Sequence, residues 1–263
     1  MSSRVGIAPH VKRSPNKHGL IMVSTDYRLA PQTPLPEIVA DIGDAVQWVR
    51  NELPKNAGAF KVDTERLMVA GGSAGGFLAM LSALPVCKSK PAKAIGAVYP
   101  ITDPSREFFI CGFRPLEWQN GRIITADDMA MHIDPSSPVL TGTPPPVLGG
   151  EVQPPSGRGW LYDYALQEGI MEKMMFEKAP DSDRDAFKPP KQIGTGYPPL
   201  YVFHGAEDTR VGVSQSDELA EALKNVGGLD WRYERIEGGQ HLFDIMDPSV
   251  EMEGLYDWFK SKV

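Results

Sequence analysis

The stretch from Leu67 to Met80, LMVAGGSAGGFLAM, constrains the fold more than any other part of the chain. A short apolar run with the composition of a buried strand meets a glycine cluster holding one serine. Phe77, Leu78, Leu81 and Leu84 then recur at helical spacing. The reading is strand, sharp turn, helix. Gly71-Gly72-Ser73-Ala74-Gly75 fits G-x-S-x-G, in which a serine sits on a strained turn and small neighbours let strand and helix approach closely. Ser73 is the candidate nucleophile. Glycine-rich turns of this kind also cradle phosphates, but no Lys follows the glycines as a P-loop requires, and the spacing does not give the dinucleotide pattern G-x-G-x-x-G.

Strands and helices alternate on both sides of this turn. Leu20-Ile21-Met22-Val23-Ser24-Thr25 reads as a buried strand, and from Glu37 to Leu53 the residues Ile38, Ile42, Val46, Val49 and Leu53 fall on one helical face. Ala94 to Tyr99, Leu200 to His204 and Trp231 to Ile236 read as further strands. Ser214 with Asp217 resembles a capping box for a helix ending at Gly227-Gly228, and the last helix gathers Met252, Leu255, Tyr256, Phe259 and Val263 on one side. Residues 5 to 18 hold at most one short helix. The pattern implies an α/β fold with a mostly parallel sheet flanked by helices. Prolines crowd residues 101–198, which read as a cap-like insertion within a single domain spanning 1–263.

The chain has 263 residues, 41% of them hydrophobic, enough for a substantial core. Its formal net charge of −7, without a basic cluster, argues against a nucleic-acid partner. Cys87 and Cys111 show neither metal-ligand spacing nor a disulfide framework. No segment approaches the roughly 20 apolar residues of a membrane span, and the N-terminus lacks a signal-peptide pattern. The expectation is a cytoplasmic protein.

In open parallel sheets, ligands meet the loops at the carboxyl ends of the strands, and Ser73, Asp208 and His241 each follow an expected strand. A serine hydroxyl is a weak nucleophile at neutral pH. His241 would remove its proton, and Asp208 would fix the imidazole tautomer and stabilise the imidazolium. The plain alternatives are a turn aspartate and a loop histidine in a glycine turn, with Glu207 as the neighbouring acid. His132 beside Asp134 reads as a surface residue, and Gly149-Gly150 as an ordinary turn. Phe108, Phe109, Phe113, Trp118 and Trp160 are candidates either for an acyl pocket or for the core of the insertion.

With these residues in place, the sequence resembles the hormone-sensitive-lipase-like carboxylesterase branch of the α/β-hydrolases, from about residue 5 to the C-terminus. Asp26 to Pro31 matches that branch's D-Y-R-L-A-P segment, Gly71 to Gly76 its G-D-S-A-G-G elbow, His204 to Asp208 its H-G-x-x-D loop, and His241 to Phe243 its H-x-F loop. The order Ser, Asp, His is that of the α/β-hydrolases. Two departures stand out. Gly72 replaces the usual Asp, and the chain begins too late to carry the H-G-G-G-type loop that supplies most of the family's oxyanion hole.

The resemblance assigns only the backbone N–H of Ala74 to that hole. It also places the missing strand between the one ending near Thr25 and the elbow strand, so that backbone groups there would be left unpaired or forced into new pairing. What the resemblance implies is a serine carboxylesterase acting on small to medium esters through an acyl-enzyme, without a cofactor. A hydrolase-like protein with a non-hydrolytic role (ligand binding, cyclisation or elimination on a natural-product-like molecule) and an inactive truncated hydrolase are the alternatives. By the same analogy, a homodimer would form through Trp231 to Ile236 or Val250 to Val263.

Overall fold

The computed structural model describes residues 4, 6–112, 122–143, 147–148, 151–152, 154 and 156–263; Phe113, Trp118, Gly149 and Gly150 lie outside them. The chain divides into two compact units. The larger comprises Val5–Thr25, Val39–Asp103 and Arg184–Val263, and the smaller is built mainly from Asp26–Ile38 and Pro104–Asp183.

The larger unit is organised on four parallel strands, β1 (Met68–Gly72), β2 (Ala94–Val98), β3 (Leu200–Gly205) and β4 (Trp231–Ile236), hydrogen-bonded in that order. β2 and β3 are buried along their whole length, which explains why AIGAV and LYVFHG read as continuous rather than alternating patterns. Edge strand β4 instead exposes Arg232 and Glu234 while half-burying Trp231 and Tyr233. Gly72 pairs with Val98, Val98 with Phe203 and Gly205 with Ile236, so the strands finish side by side at their carboxyl ends.

The helices used below are α1 (Pro9–His18), α2 (Leu35–Asn51), α3 (Ala74–Leu81), α4 (Ser214–Val226) and α5 (Glu253–Lys262). Leu255, Trp258 and Phe259 of α5 pack with Val98, Tyr99, Tyr201 and Phe203 into one buried cluster. Truncating a buried aromatic such as Phe259 to Ala costs about 3–5 kcal/mol. Gly227, at φ 70°, ends α4 as its composition implies. The expected capping box does not form: Val213 is the N-cap, without a side-chain cap, because Asp217 accepts the Tyr233 hydroxyl at 2.8 Å and pairs with Arg235 at 3.1 Å.

One expected strand is absent. Leu20 to Thr25 has no regular structure, and Ile21, Met22 and Val23 are 52%, 37% and 44% exposed. An extended run becomes a strand only where a neighbour supplies ladder partners. β1, the elbow strand, stands at the edge of the sheet and pairs with β2 alone among the described residues, so this run has no ladder to join.

The smaller unit carries the helices Ala126–Ile133, Leu161–Glu168 and Met171–Phe176. Thr125 and Asp128 cap the first of them reciprocally. Phe109, Met129, Trp160, Leu166 and Phe176 are buried, so Phe109 and Trp160 serve as core. Buried Arg158 donates to the Ala30 carbonyl at 2.7 Å. Among the described residues no helix is long and apolar enough to cross a membrane, and no His, Cys, Asp and Glu cluster could hold a metal ion. Cys87 and Cys111 are free thiols.

Candidate active site

β1 turns into α3 at Ser73, whose φ of 56° and ψ of −122° lie outside the ordinary regions for a residue with a side chain. Such a backbone costs on the order of 1–3 kcal/mol and persists only where its surroundings enforce it. The enforcement is close packing. A Cβ on Gly71 would lie 2.4 Å from the carbonyl carbon of Gly75, so strand and helix backbones are in contact. The Ser73 N–H donates to the Val98 carbonyl at 2.9 Å, tying the turn to β2. Ala74 is the first residue of α3, and its N–H therefore has no acceptor within the helix.

Asp208 follows β3, and its side chain is fully buried. Oδ1 accepts the backbone N–H groups of Arg210 at 2.8 Å and Val211 at 2.9 Å. Oδ2 accepts Nδ1–H of His241 at 2.6 Å and faces Nε2 of His204 at 3.3 Å. Burial by itself pushes the carboxyl pKa up, but the hydrogen bonds from His204 and His241, the His241 charge and the Val211 N–H outweigh it and hold Asp208 well below the usual carboxylate range. His204 is itself fixed, with Nδ1 2.7 Å from the Ser216 hydroxyl and Nε2 2.8 Å from the Val211 carbonyl.

The loops bearing Asp208 and His241 meet backbone to backbone. A Cβ on Gly205 would lie 2.3 Å from the Gly239 carbonyl oxygen, which itself accepts the Glu207 N–H at 3.0 Å. This contact sets His241 between acid and serine. Its Nε2 lies 3.2 Å from Ser73 Oγ. With Nδ1–H committed to a carboxylate, Nε2 carries the lone pair and accepts the serine hydroxyl. The structure thus brings Ser73, His241 and Asp208 into one hydrogen-bonded line, with Ala74 beside the serine. Glu207 reaches Gln240 rather than the histidine, and His132 is half-buried with its ring Nε2 2.9 Å from the Ser156 carbonyl.

Sequence reasoning missed two neighbours of this line. The spacing of the segment from His204 to Asp208 gives no sign that its two ends lie 3.3 Å apart. Tyr99 reads as the last residue of a strand, whereas its ring centroid lies 4.6 Å from that of His241.

A family model described as alpha/beta hydrolase fold matches residues 9–143. Among curated proteins, the whole chain is 28% identical to non-reducing polyketide synthase pkbA of Emericella nidulans, covering 12% of that protein. It is 24% identical to esterase LipC of Mycobacterium tuberculosis over 87% of this chain and 46% of that one. The chain therefore spans about one eighth of the synthase and less than half of the esterase. Among solved structures, carboxyl esterase 2 from Tuber melanosporum superposes with a TM-score of 0.59 at 17% identity, over 96% of this chain and 70% of that one. The Pyrobaculum calidifontis esterase gives 0.59 at 22% identity, over 96% and 68%. At these identities the structures speak to the fold.

Proposed function

The chain belongs to the alpha/beta hydrolase fold family, and from that premise we propose that it is a serine carboxylesterase cleaving small to medium carboxylic esters through an acyl-enzyme. Ser73 Oγ attacks the acyl carbon while His241 Nε2 takes the hydroxyl proton, and the Asp208 carboxylate stabilises the resulting imidazolium. The Ala74 N–H faces the oxygen that becomes negative. The tetrahedral species collapses, and the C–O bond to the alcohol breaks as His241 returns its proton to the leaving oxygen. Water, deprotonated by His241, then attacks the acyl-serine and releases the acid. General-base transfer of this kind contributes about 10²–10⁴-fold, and one oxyanion donor about 2.7–4 kcal/mol. The chemistry requires no cofactor.

The observation that carries this reading is the pair of contacts at His241, 2.6 Å to Asp208 and 3.2 Å to Ser73. The experiment is hydrolysis of nitrophenyl acetate and butyrate beside Ser73→Ala. Loss of nearly all activity in the variant supports the reading, and equal rates refute it.

A second reading rests on the whole-chain similarity to polyketide synthases: the site processes a bound natural-product-like acyl chain by cyclisation or elimination rather than by hydrolysis. It predicts turnover or binding of an aromatic acyl thioester that survives Ser73→Ala. A thioester consumed only by the intact serine, with free acid as product, speaks for the first reading.

A further inference from the structure

Behind His241 lies a buried polar chain that the triad chemistry does not use. Tyr99 directly follows β2, is 1% exposed, and has a φ of 39°. Its ring sits in tilted contact with the imidazole of His241, at an interplanar angle of 56°, and edge-on to Phe243. Its hydroxyl donates to Oδ1 of Asp244. The other oxygen of Asp244 lies 3.1 Å from Nε2 of His10 on α1, and His10 Nδ1 lies 2.8 Å from the hydroxyl of Tyr256 on α5. His10 and Asp244 are both buried. Desolvating a carboxylate is costly unless donors face it, and here a phenol and an imidazole do so. A phenylalanine could fill the same volume without any of these groups.

Gly72 leaves room for the phenol. A Cβ there would lie 2.8 Å from Tyr99 Cε2 and 3.0 Å from its oxygen. The missing side chain at Gly72 and the placement of the tyrosine are thus two sides of one packing solution. The hydrogen bond to Asp208 restrains the imidazole at Nδ1, but on its own it does not set the tilt of the ring plane. A ring against its face limits that tilt, provided that the ring itself cannot move.

We propose that Tyr99, anchored through Asp244 to His10, is a positioning residue that fixes the His241 imidazole with Nε2 toward Ser73. Its kinetic consequence rests on the esterase reading above, while the placement of the imidazole does not.

The test uses the full chain with ¹⁵N-labelled histidine, the His241 signals being assigned by their loss in His241→Gln. Tyr99→Phe keeps the ring but unties it, and Tyr99→Leu removes the ring. In the wild type the Nδ1–H of His241, bonded to Asp208, should give a sharp downfield resonance. It should broaden in Tyr99→Phe and disappear in Tyr99→Leu. Turnover per fluorophosphonate-titrated site should fall about tenfold and about a hundredfold respectively, with KM within twofold, as expected when a reacting group drifts by an ångström or less. A merely structural role would lower the melting temperature and the titrated fraction while leaving the resonance and the per-site turnover unchanged. That outcome overturns the proposal. If Tyr99→Leu does not fold, Asp244→Asn, which keeps volume and removes charge, should reproduce the broadening, and an unchanged resonance there refutes the proposal equally. A wild-type chain that neither turns over nor labels sinks the esterase reading alone, since the resonance still decides the role of Tyr99.

Discussion

Replacing Asp208 by Asn tests the site with almost no change of shape, and the structure fixes which way the new amide must point. Oδ1 faces two backbone N–H groups, from Arg210 and Val211, at 2.8 and 2.9 Å, and neither donor can reorient. Turning the amide nitrogen toward them would set donors against donors. The carbonyl oxygen therefore keeps that side and the NH2 faces the histidines. His204 tolerates this, because its Nε2–H already has the Val211 carbonyl at 2.8 Å. His241 does not: its Nδ1 must become an acceptor, so the proton moves to Nε2 and points at Ser73. The imidazole in that tautomer cannot take the serine proton.

Elsewhere, in a serine protease, the equivalent change lowers kcat about 10⁴-fold with the geometry intact, which corresponds to roughly 5.5 kcal/mol of barrier. The same order is expected here. The assay is the burst and steady-state hydrolysis of nitrophenyl acetate at pH 7, with circular dichroism confirming the fold. An Asp208→Asn variant that keeps more than a tenth of wild-type kcat/KM would refute the assignment of Asp208 as the orienting acid.

Other consequences are measurable on the folded chain. The Asp208 carboxyl is depressed in the fold relative to about 3.9 in the unfolded chain, so its contribution to stability is complete above about pH 5 and drains away as pH falls toward the folded value. Below about pH 4 the wild type should lose up to about 1.4 kcal/mol more per pH unit than Asp208→Asn in urea titrations, and parallel curves would contradict the depressed carboxyl. Gly71→Ala sets a Cβ 2.4 Å from the Gly75 carbonyl carbon and should cost about 1–3 kcal/mol or more, read as a lower urea midpoint. A neutral Gly71→Ala would mean that strand and helix are not in contact at the elbow.

How much of this was legible in the sequence depended on how local the cause was. The elbow could be read because its requirements, an apolar run, small residues and a serine, fall within a few consecutive positions. Asp208 and His241 could be placed because each follows a strand whose apolar run is itself visible. Leu20 to Thr25 misled because its composition reports a taste for extension, whereas being a strand depends on a neighbour far away in the chain. Asp217 likewise had the spacing of a cap, but β4 supplied better partners in Tyr233 and Arg235. The chain from His10 to Asp244 to Tyr99 gave no local signal at all. Its members are 234 and 145 positions apart, and only the packed fold brings them together.

Catalysis through an acyl-enzyme requires that Ser73 become covalently acylated. The direct measurement is rapid acid quenching of the chain during turnover of nitrophenyl acetate, followed by peptide mass spectrometry. An acetyl group is expected on the peptide containing Ser73, absent in Ser73→Ala and in chain unfolded before mixing. Hydrolysis by the folded chain with Ser73 unmodified throughout, or with the acetyl group on another residue, would contradict it.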